Sequence, residues 1–331
     1  MNLNKLKKTF IIAEIGNNHE GSFNVACKLI VEAKKTGVDA VKFQTFKTED
    51  FISPQDKKRF KKLKKFELSY EDFAKLSVIA KKNKLKFIST PLDVKSAIFL
   101  NNIVDCFKIA SGDNNYYNLI KTVLDFKKPT FISTGLLNFT EVKTLVKFIK
   151  KLRFNFSKLS LFHCVSDYPV SYEEANLLSI KFLKEKFPLI IGYSDHTIGK
   201  EASLLAISLG AKIIEKHFTL SNNFSKFRDH KISLNPNDMG QLVSSIRKGE
   251  LMFGNENKKI QYGETKNLHL IRRSIYTADS FDKNTLIKAN MIKFLRPASI
   301  YKPNDVKKIL NKKIKKKIGA FKVFLPKHFG N

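Results

Sequence analysis

The chain has 331 residues, 43% of them hydrophobic, and 61 Lys plus Arg against 30 Asp plus Glu give a formal charge of +31. That length predicts a large core and two domains, and no 18-residue apolar run marks a membrane span or signal segment. The excess charge is nearly all lysine, with arginine only at 59, 153, 228, 247, 272, 273 and 296, whereas base readout and bidentate phosphate recognition favour arginine. The composition therefore points away from nucleic acid and towards attraction of small anions. Cys27, Cys106 and Cys164 form no CxxC pair, which predicts free thiols in a reducing, cytoplasmic setting.

In chain order, Phe10 to Gly16 reads as a strand ending in a carboxylate, Glu14, and a glycine. Ser22 caps a helix whose apolar face is Phe23, Ala26, Cys27, Ile30 and Ala33, with Gly37 as its stop. Val38 to Phe43 is the second strand, and Lys42, Gln44 and Thr45 stand at its end. The polar stretch from Lys47 to Leu68 reads as a long functional loop or lid before a helix at Tyr70 to Lys82. Strands at Leu85 to Ile88, Cys106 to Ile109, Pro129 to Ile132 and Leu159 to Phe162 follow, each succeeded by a helical pattern. Those helices are expected at Val94 to Asn101, Tyr117 to Asp125, Glu141 to Leu152 and Ala175 to Lys184. Phe187 to Ile191 and Ala211 to Ile214 are the last two strands, separated by a helix at Glu201 to Leu209. A final helix opens at Asn235-Pro236 and runs to about Phe253.

Eight strand–helix units over about 250 residues are the rhythm of a (β/α)8 TIM barrel, whose active site lies past the strand ends. An open doubly wound sheet alternates in the same way but does not bring all eight strand ends together. The expected division is a barrel over 1–254, a polar linker over 255–269 and a small C-terminal module over 270–331. That module holds strand-like pieces at Ser274 to Thr277, Ile292 to Leu295 and Val323 to Leu325, with a helix at Pro303 to Leu310.

The strand ends carry recognisable chemistry. Lys108 with Ser111, Ser133, Ser166 and Ser194 makes a donor-rich crescent suited to a phosphate, to which Lys42 and Gln44 add. His196 and His217 end adjacent strands and offer two nitrogen ligands to one ion. With no third protein ligand evident, a two-His, oxygen-rich site suits Mn2+, with Mg2+ or Co2+ as alternatives. Such an ion acts as a Lewis acid on a carbonyl. Glu14, Asp113 and Asp229 are carboxylates available to bind hydroxyls or manage protons. Asp229 reads equally as half of a loop ion pair with Arg228.

On these residues the chain resembles the sialic acid synthase family of phosphoenolpyruvate-dependent nonulosonic acid synthases. The resemblance runs through AEIGNNHEGS (13–22), VKFQTF (41–46), FKIASGD (107–113), HCVSDYP (163–169), GYSDHT (192–197) and IEKHFTL (214–220), and into LRP (295–297). It implies an antifreeze-like (SAF) C-terminal domain and a swapped homodimer in which that domain covers the partner's barrel. By motif position, His196 and His217 are implied as Mn2+ ligands. Lys108, Ser111, Ser133, Ser166 and Ser194, aided by Lys42 and Thr90, are implied as the phosphoenolpyruvate cradle. Glu14, Gln44, Asp113, Tyr168 and Asp229 are implied as contacts to the sugar and reaction centre, and Arg296 as a contact from the other subunit. The implied reaction joins phosphoenolpyruvate C3 to the aldehyde of N-acetylmannosamine or a relative, with phosphate leaving by C–O cleavage. Legionaminate- and pseudaminate-type synthesis are close variants. A phosphoenolpyruvate-condensing barrel for a phosphorylated aldose and a basic nucleic-acid-binding scaffold are the alternatives. The chain departs from the family at Phe227-Arg228, where Gly-Pro is usual before the aspartate, and at Ala298 and Asn311, where Gly is common.

Overall fold

A computed structural model describes residues 2–329. Eight parallel strands close in sequence order into a barrel. They are β1 Phe10–Gly16, β2 Ala40–Thr45, β3 Lys86–Pro91, β4 Cys106–Ile109, β5 Thr130–Ser133, β6 Leu159–Cys164, β7 Ile190–Asp195 and β8 Ile213–His217. Closure comes from β8 pairing with β1, which sets His217 opposite Glu14. The helices of the barrel unit are α1 Phe23–Lys35, α2 Thr48–Phe51, α3 Lys57–Phe66, α4 Tyr70–Lys82, α5 Val94–Leu100 and α6 Tyr117–Asp125. They continue as α7 Phe139–Lys151, α8 Leu178–Lys186, α9 Glu201–Ser208, α10 Asp229–Ile232 and α11 Pro236–Phe253. Ser22 caps α1 by accepting from the Val25 N–H, and Asn235 caps α11 beside Pro236.

Strand alternation divides the apolar side chains into two layers. Outward residues such as Ile11, Val41, Phe87 and Ile214 meet the helices and form the main core. Inward residues Phe10, Ile12, Ala40, Ile88, Cys106, Phe131, Phe162 and Ile213, joined by Leu3 from the N-terminal segment, fill the barrel and floor the site above. Gly192 makes room for this floor, because a Cβ there would stand 2.5 Å from the Phe162 ring.

Several local expectations need correction. The stretch from Lys47 to Leu68 is not a bare loop but carries α2 and α3. Glu67 holds these helices by accepting from the Thr48 N–H, the Thr48 hydroxyl and Lys47 Nζ at 2.9, 2.8 and 3.0 Å. The helix expected from Ala175 begins at Leu178.

The chain divides after Gly254 into two units. In the second, the polar stretch that carries no apolar period nonetheless forms two single-turn helices, α12 Tyr262–Thr265 and α13 Leu268–Ile271. Beyond them β9 Ser274–Thr277 pairs antiparallel with β10 Ile292–Leu295. Around this ribbon pack Ile275, Ile287, Ile309, Ile314, Ile318 and Phe324. The helix expected at 303–310 is a 3-10 segment, Pro303–Lys308, and Val323 makes one bridge to Tyr276 instead of a strand. Among the described residues no helix is long and apolar enough to cross a membrane.

Candidate active site

At the C-terminal end of the barrel the inward residues turn from apolar to charged. A small polar cavity of about 50 Å3 is lined by Glu14, Lys42, Gln44, Thr90, Lys108, Ser111, Ser133, Cys164, Tyr168, Ser194, His196, Glu215 and His217, with Ala110. The structure thus brings most of the sequence candidates to one place. Ser166 joins from the adjoining β6 loop: its hydroxyl and that of Ser111 would both stand 2.6 Å from a Cβ on Gly135. Asp229 lies in a neighbouring outer cavity of about 500 Å3, which shares Gln44, Tyr168 and His217 with the inner one. Asp113 sits on the 3-10 turn Ser111–Asp113 after β4 and is not among the residues lining either cavity. Burial raises its carboxyl from an ordinary 3.8 to about 6. Arg296 belongs to the other unit, where it is exposed just after β10.

Four buried charges occupy the inner cavity. Lys42 Nζ lies 2.8 Å from Glu14 Oε2 and 3.7 Å from Glu215 Oε1, and donates to the Thr90 hydroxyl at 3.2 Å. Lys108 Nζ reaches both Glu215 oxygens, at 3.1 and 3.2 Å, and sits 4.9 Å above the Phe162 ring. Ser194 donates to Glu215 Oε1 at 2.8 Å. Burial pushes the Glu215 carboxyl up, but Lys108 and Lys42 outweigh it and hold the group at about 2. Burial likewise opposes the charge on Lys42, yet Glu14 and Glu215 keep its ammonium above the ordinary range. Burial dominates at Lys108, lowering it, and at Glu14, raising it. The crescent is therefore donor-rich but electrically balanced, since Lys108 is not a free cation.

Buried polar groups ordinarily find partners. Here the hydroxyls of Ser111, Ser133 and Ser166 are buried with none. Because Gly135 lacks a side chain, the space between two of these hydroxyls stays open. Three unsatisfied hydroxyls beside an ammonium make a pocket for a compact, multiply accepting anion.

The same cavity holds the two imidazoles, with ring centroids 5.5 Å apart. His196 Nδ1 donates to the Val165 carbonyl at 2.7 Å, which leaves Nε2 with its lone pair. Burial lowers this ring's affinity for a second proton. Cys164, whose sulfur lies 3.8 Å from Nδ1, raises it, and the net shift is upward. His217 is buried and held well below its ordinary pKa, first by burial and then by His196 and Lys42. Its Nδ1 is buried and unpartnered. A ring nitrogen that the protein does not engage, as at His196 Nε2 and His217 Nδ1, suits a divalent cation, and these two are the residues that would hold one. Among the described residues no group of three His, Cys, Asp or Glu side chains is arranged for a metal. Water and substrate oxygens would have to supply most of such an ion's coordination sphere.

A model of the NeuB family matches residues 29–258. The chain belongs to the NeuB family. It is 37% identical to the N,N'-diacetyllegionaminic acid synthase of Campylobacter jejuni over 89% of this chain and 92% of that protein. It is 31% identical to the human N-acetylneuraminate-9-phosphate synthase, over 92% and 88% of the respective chains. Among solved structures, the N-acetylneuraminic acid synthetase of Leptospira borgpetersenii in complex with citrate superposes with a TM-score of 0.74 at 34% identity, covering 79% of this chain and 90% of that one.

Within this NeuB-family barrel, sequence reasoning overlooked Glu215, the carboxylate that ties Lys42, Lys108 and Ser194 together. Its signal was strand parity, because residues 215 and 217 share a face of β8 and an inward His217 requires an inward Glu215. Also overlooked were Arg59, Lys62 and Phe66 on α3, which line the outer cavity. Phe227 packs edge-on against Phe66 at 5.1 Å, under Lys62 at 4.6 Å. Arg228 covers the Tyr168 ring at 4.7 Å and pairs with Asp229 at 3.3 Å. The residues that replace Gly-Pro thus bind the β8 loop to α3 and form the wall of the outer cavity, and the ion-pair reading of Asp229 holds alongside its place in that cavity.

Proposed function

We propose that this chain condenses phosphoenolpyruvate with an open-chain 2-acylamino hexose, N-acetylmannosamine or a relative, and releases inorganic phosphate. One observation carries the reading: Ser111, Ser133 and Ser166 present buried, unpartnered hydroxyls, and Ser111 and Ser133 share one cavity with Lys108, His196 and His217. The names of the legionaminic acid and N-acetylneuraminate-9-phosphate synthases among its relatives support it. In the reaction C3 of the enol attacks the aldehyde carbon, water adds at C2, and the C2–O bond to phosphorus breaks to leave a ketone. Ser111, Ser133, Ser166 and Ser194 with Lys108, Lys42 and Thr90 hold the phosphate and carboxylate. Glu14, with its carboxyl raised by burial, manages a proton at the cavity centre. Gln44, Tyr168, Asp113 and Asp229 orient the sugar. A divalent cation on His196 and His217, Mn2+ by ligand preference, supplies Lewis-acid polarisation of the aldehyde.

The C-terminal unit as an antifreeze-like domain, the swapped dimer and the contact of Arg296 with a partner's sugar belong to the same proposal. Incubation with phosphoenolpyruvate, Mn2+ and a panel of 2-acylamino hexoses tests it. Phosphate release is expected, with a product whose mass is that of the two substrates plus water less inorganic phosphate. Silence with N-acetylmannosamine and with the legionaminate and pseudaminate precursors would defeat it. A second reading has its own observation, since Arg59, Lys62 and Arg228 set three cations against Asp229 around the outer cavity. That balance suits an acceptor carrying a distal phosphate, and dependence of turnover on a sugar phosphate would select this reading.

A further inference from the structure

Directly outside the two imidazoles lies a buried ion pair that takes no part in the chemistry above. The side chains of Lys216 and Asp195 are both 0% exposed, with Nζ 3.2 Å from Asp195 Oδ2. The two residues are register partners on β8 and β7, and each immediately precedes a histidine of the site. Alternation that turns His196 and His217 inward turns this pair outward. There Ser203 of α9 donates to Asp195 Oδ2 at 2.6 Å. Asp195 Oδ1 accepts the N–H and hydroxyl of Thr197 at 2.9 and 2.8 Å. Lys216 Nζ donates to the Thr197 carbonyl at 2.6 Å. The backbone on both sides of His196 is thereby staked to the strand that bears His217.

A buried pair of this kind stabilises a fold little more than apolar side chains of equal volume. What it fixes is direction. Losing a group that holds a metal ligand in place from behind typically costs about 10–100-fold in affinity. We propose that Asp195 and Lys216 are positioning residues that set the separation and aim of His196 and His217, and so the affinity of this site for a divalent cation. The inference rests on the metal role proposed above and names what holds its geometry.

The test is Mn2+ affinity of the metal-stripped, full-length chain, read from the electron paramagnetic resonance signal of free aqueous Mn2+. Changing one partner alone strands a buried charge and strongly destabilises the fold. The decisive variant is therefore the double change Asp195→Asn with Lys216→Met, which removes both charges together. It is expected to keep its melting temperature in chelator and its affinity for inorganic phosphate, while binding Mn2+ about 10–100-fold more weakly. A folded double variant with unchanged Mn2+ affinity overturns the proposal. So does a parallel loss of phosphate binding, which marks general loosening, or a double variant that does not fold. Absence of Mn2+ binding by the unsubstituted chain defeats the metal reading itself, and His217→Ala supplies the zero against which that is judged.

Discussion

Replacing Gly135 with alanine tests the anion pocket with a single methyl group. The added Cβ would stand 2.6 Å from both the Ser111 and Ser166 hydroxyl oxygens and 3.1 Å from the Cys164 carbonyl oxygen. Ordinary contact begins near 3.4 Å, so at least one hydroxyl must rotate out of the pocket. A hydrogen bond to a charged group is worth about 1.5–3 kcal/mol, and losing one weakens anion binding by about 10–100-fold. The Cys164 carbonyl must give by a few tenths of an ångström, but Gly135 does not occupy a positive-φ conformation, so alanine suits its own dihedrals. Its effect on the unfolded chain favours folding by about 0.4–1 kcal/mol. Gly135→Ala should therefore raise the phosphoenolpyruvate KM steeply while the chain stays folded, with initial phosphate release measured against phosphoenolpyruvate at saturating sugar. If KM and kcat/KM both stay within about threefold of the unsubstituted chain, a difference worth under 1 kcal/mol, the serine cradle is not where the anion binds.

The other predictions concern charge and assembly. Glu215→Gln deprives Lys108 of its carboxylate and should lower stability by about 3–5 kcal/mol, with saturating phosphate restoring more of the melting temperature than it adds to the unsubstituted chain. An unchanged melting temperature would show that Lys108 does not depend on Glu215. Asp113, raised from 3.8 to about 6, keeps its proton in the fold where the unfolded chain loses it. Its favourable contribution is full below pH 3.8 and is lost as pH rises to about 6. Asp113→Asn should flatten that slope and stabilise the protein at neutral pH by up to about 3 kcal/mol, measured by denaturant unfolding across the range. An unaltered slope would refute the buried-carboxyl reading. Arg296→Ala should impair sugar saturation and leave phosphoenolpyruvate saturation alone. Mixing that chain with His217→Ala under subunit exchange should restore about a quarter of full activity if each site draws on two chains. No recovery would place both residues in one subunit's site or neither.

The barrel was legible because its eight strands are short apolar runs at regular spacing, each followed by a polar strand end, and length and parity leave little choice. The site was legible where a motif sat at a strand end, as with Lys108, Ser133 and His217. What stayed hidden depended on pairing across the cavity. Glu215 looks like one more acid in a Glu-Lys-His run until β8 is seen to point it at two lysines from other strands. The Lys47 to Leu68 stretch reads as loop because its lysines swamp the apolar signal. In the fold Phe66 is buried and Glu67 gathers Thr48 and Lys47 to fix α2 and α3. The single bridge at Val323 and the 3-10 segment at 303–308 escaped for a related reason, since so small a unit orders short irregular pieces around a few isoleucines.

Anomalous diffraction from crystals grown with Mn2+ and phosphoenolpyruvate tests the central claim most directly. A manganese peak within coordinating distance of both His196 and His217, facing a phosphate hydrogen-bonded to Ser111, Ser133 and Ser166, is the predicted result. Manganese bound elsewhere, or a phosphate that leaves those three hydroxyls unpartnered, would contradict it.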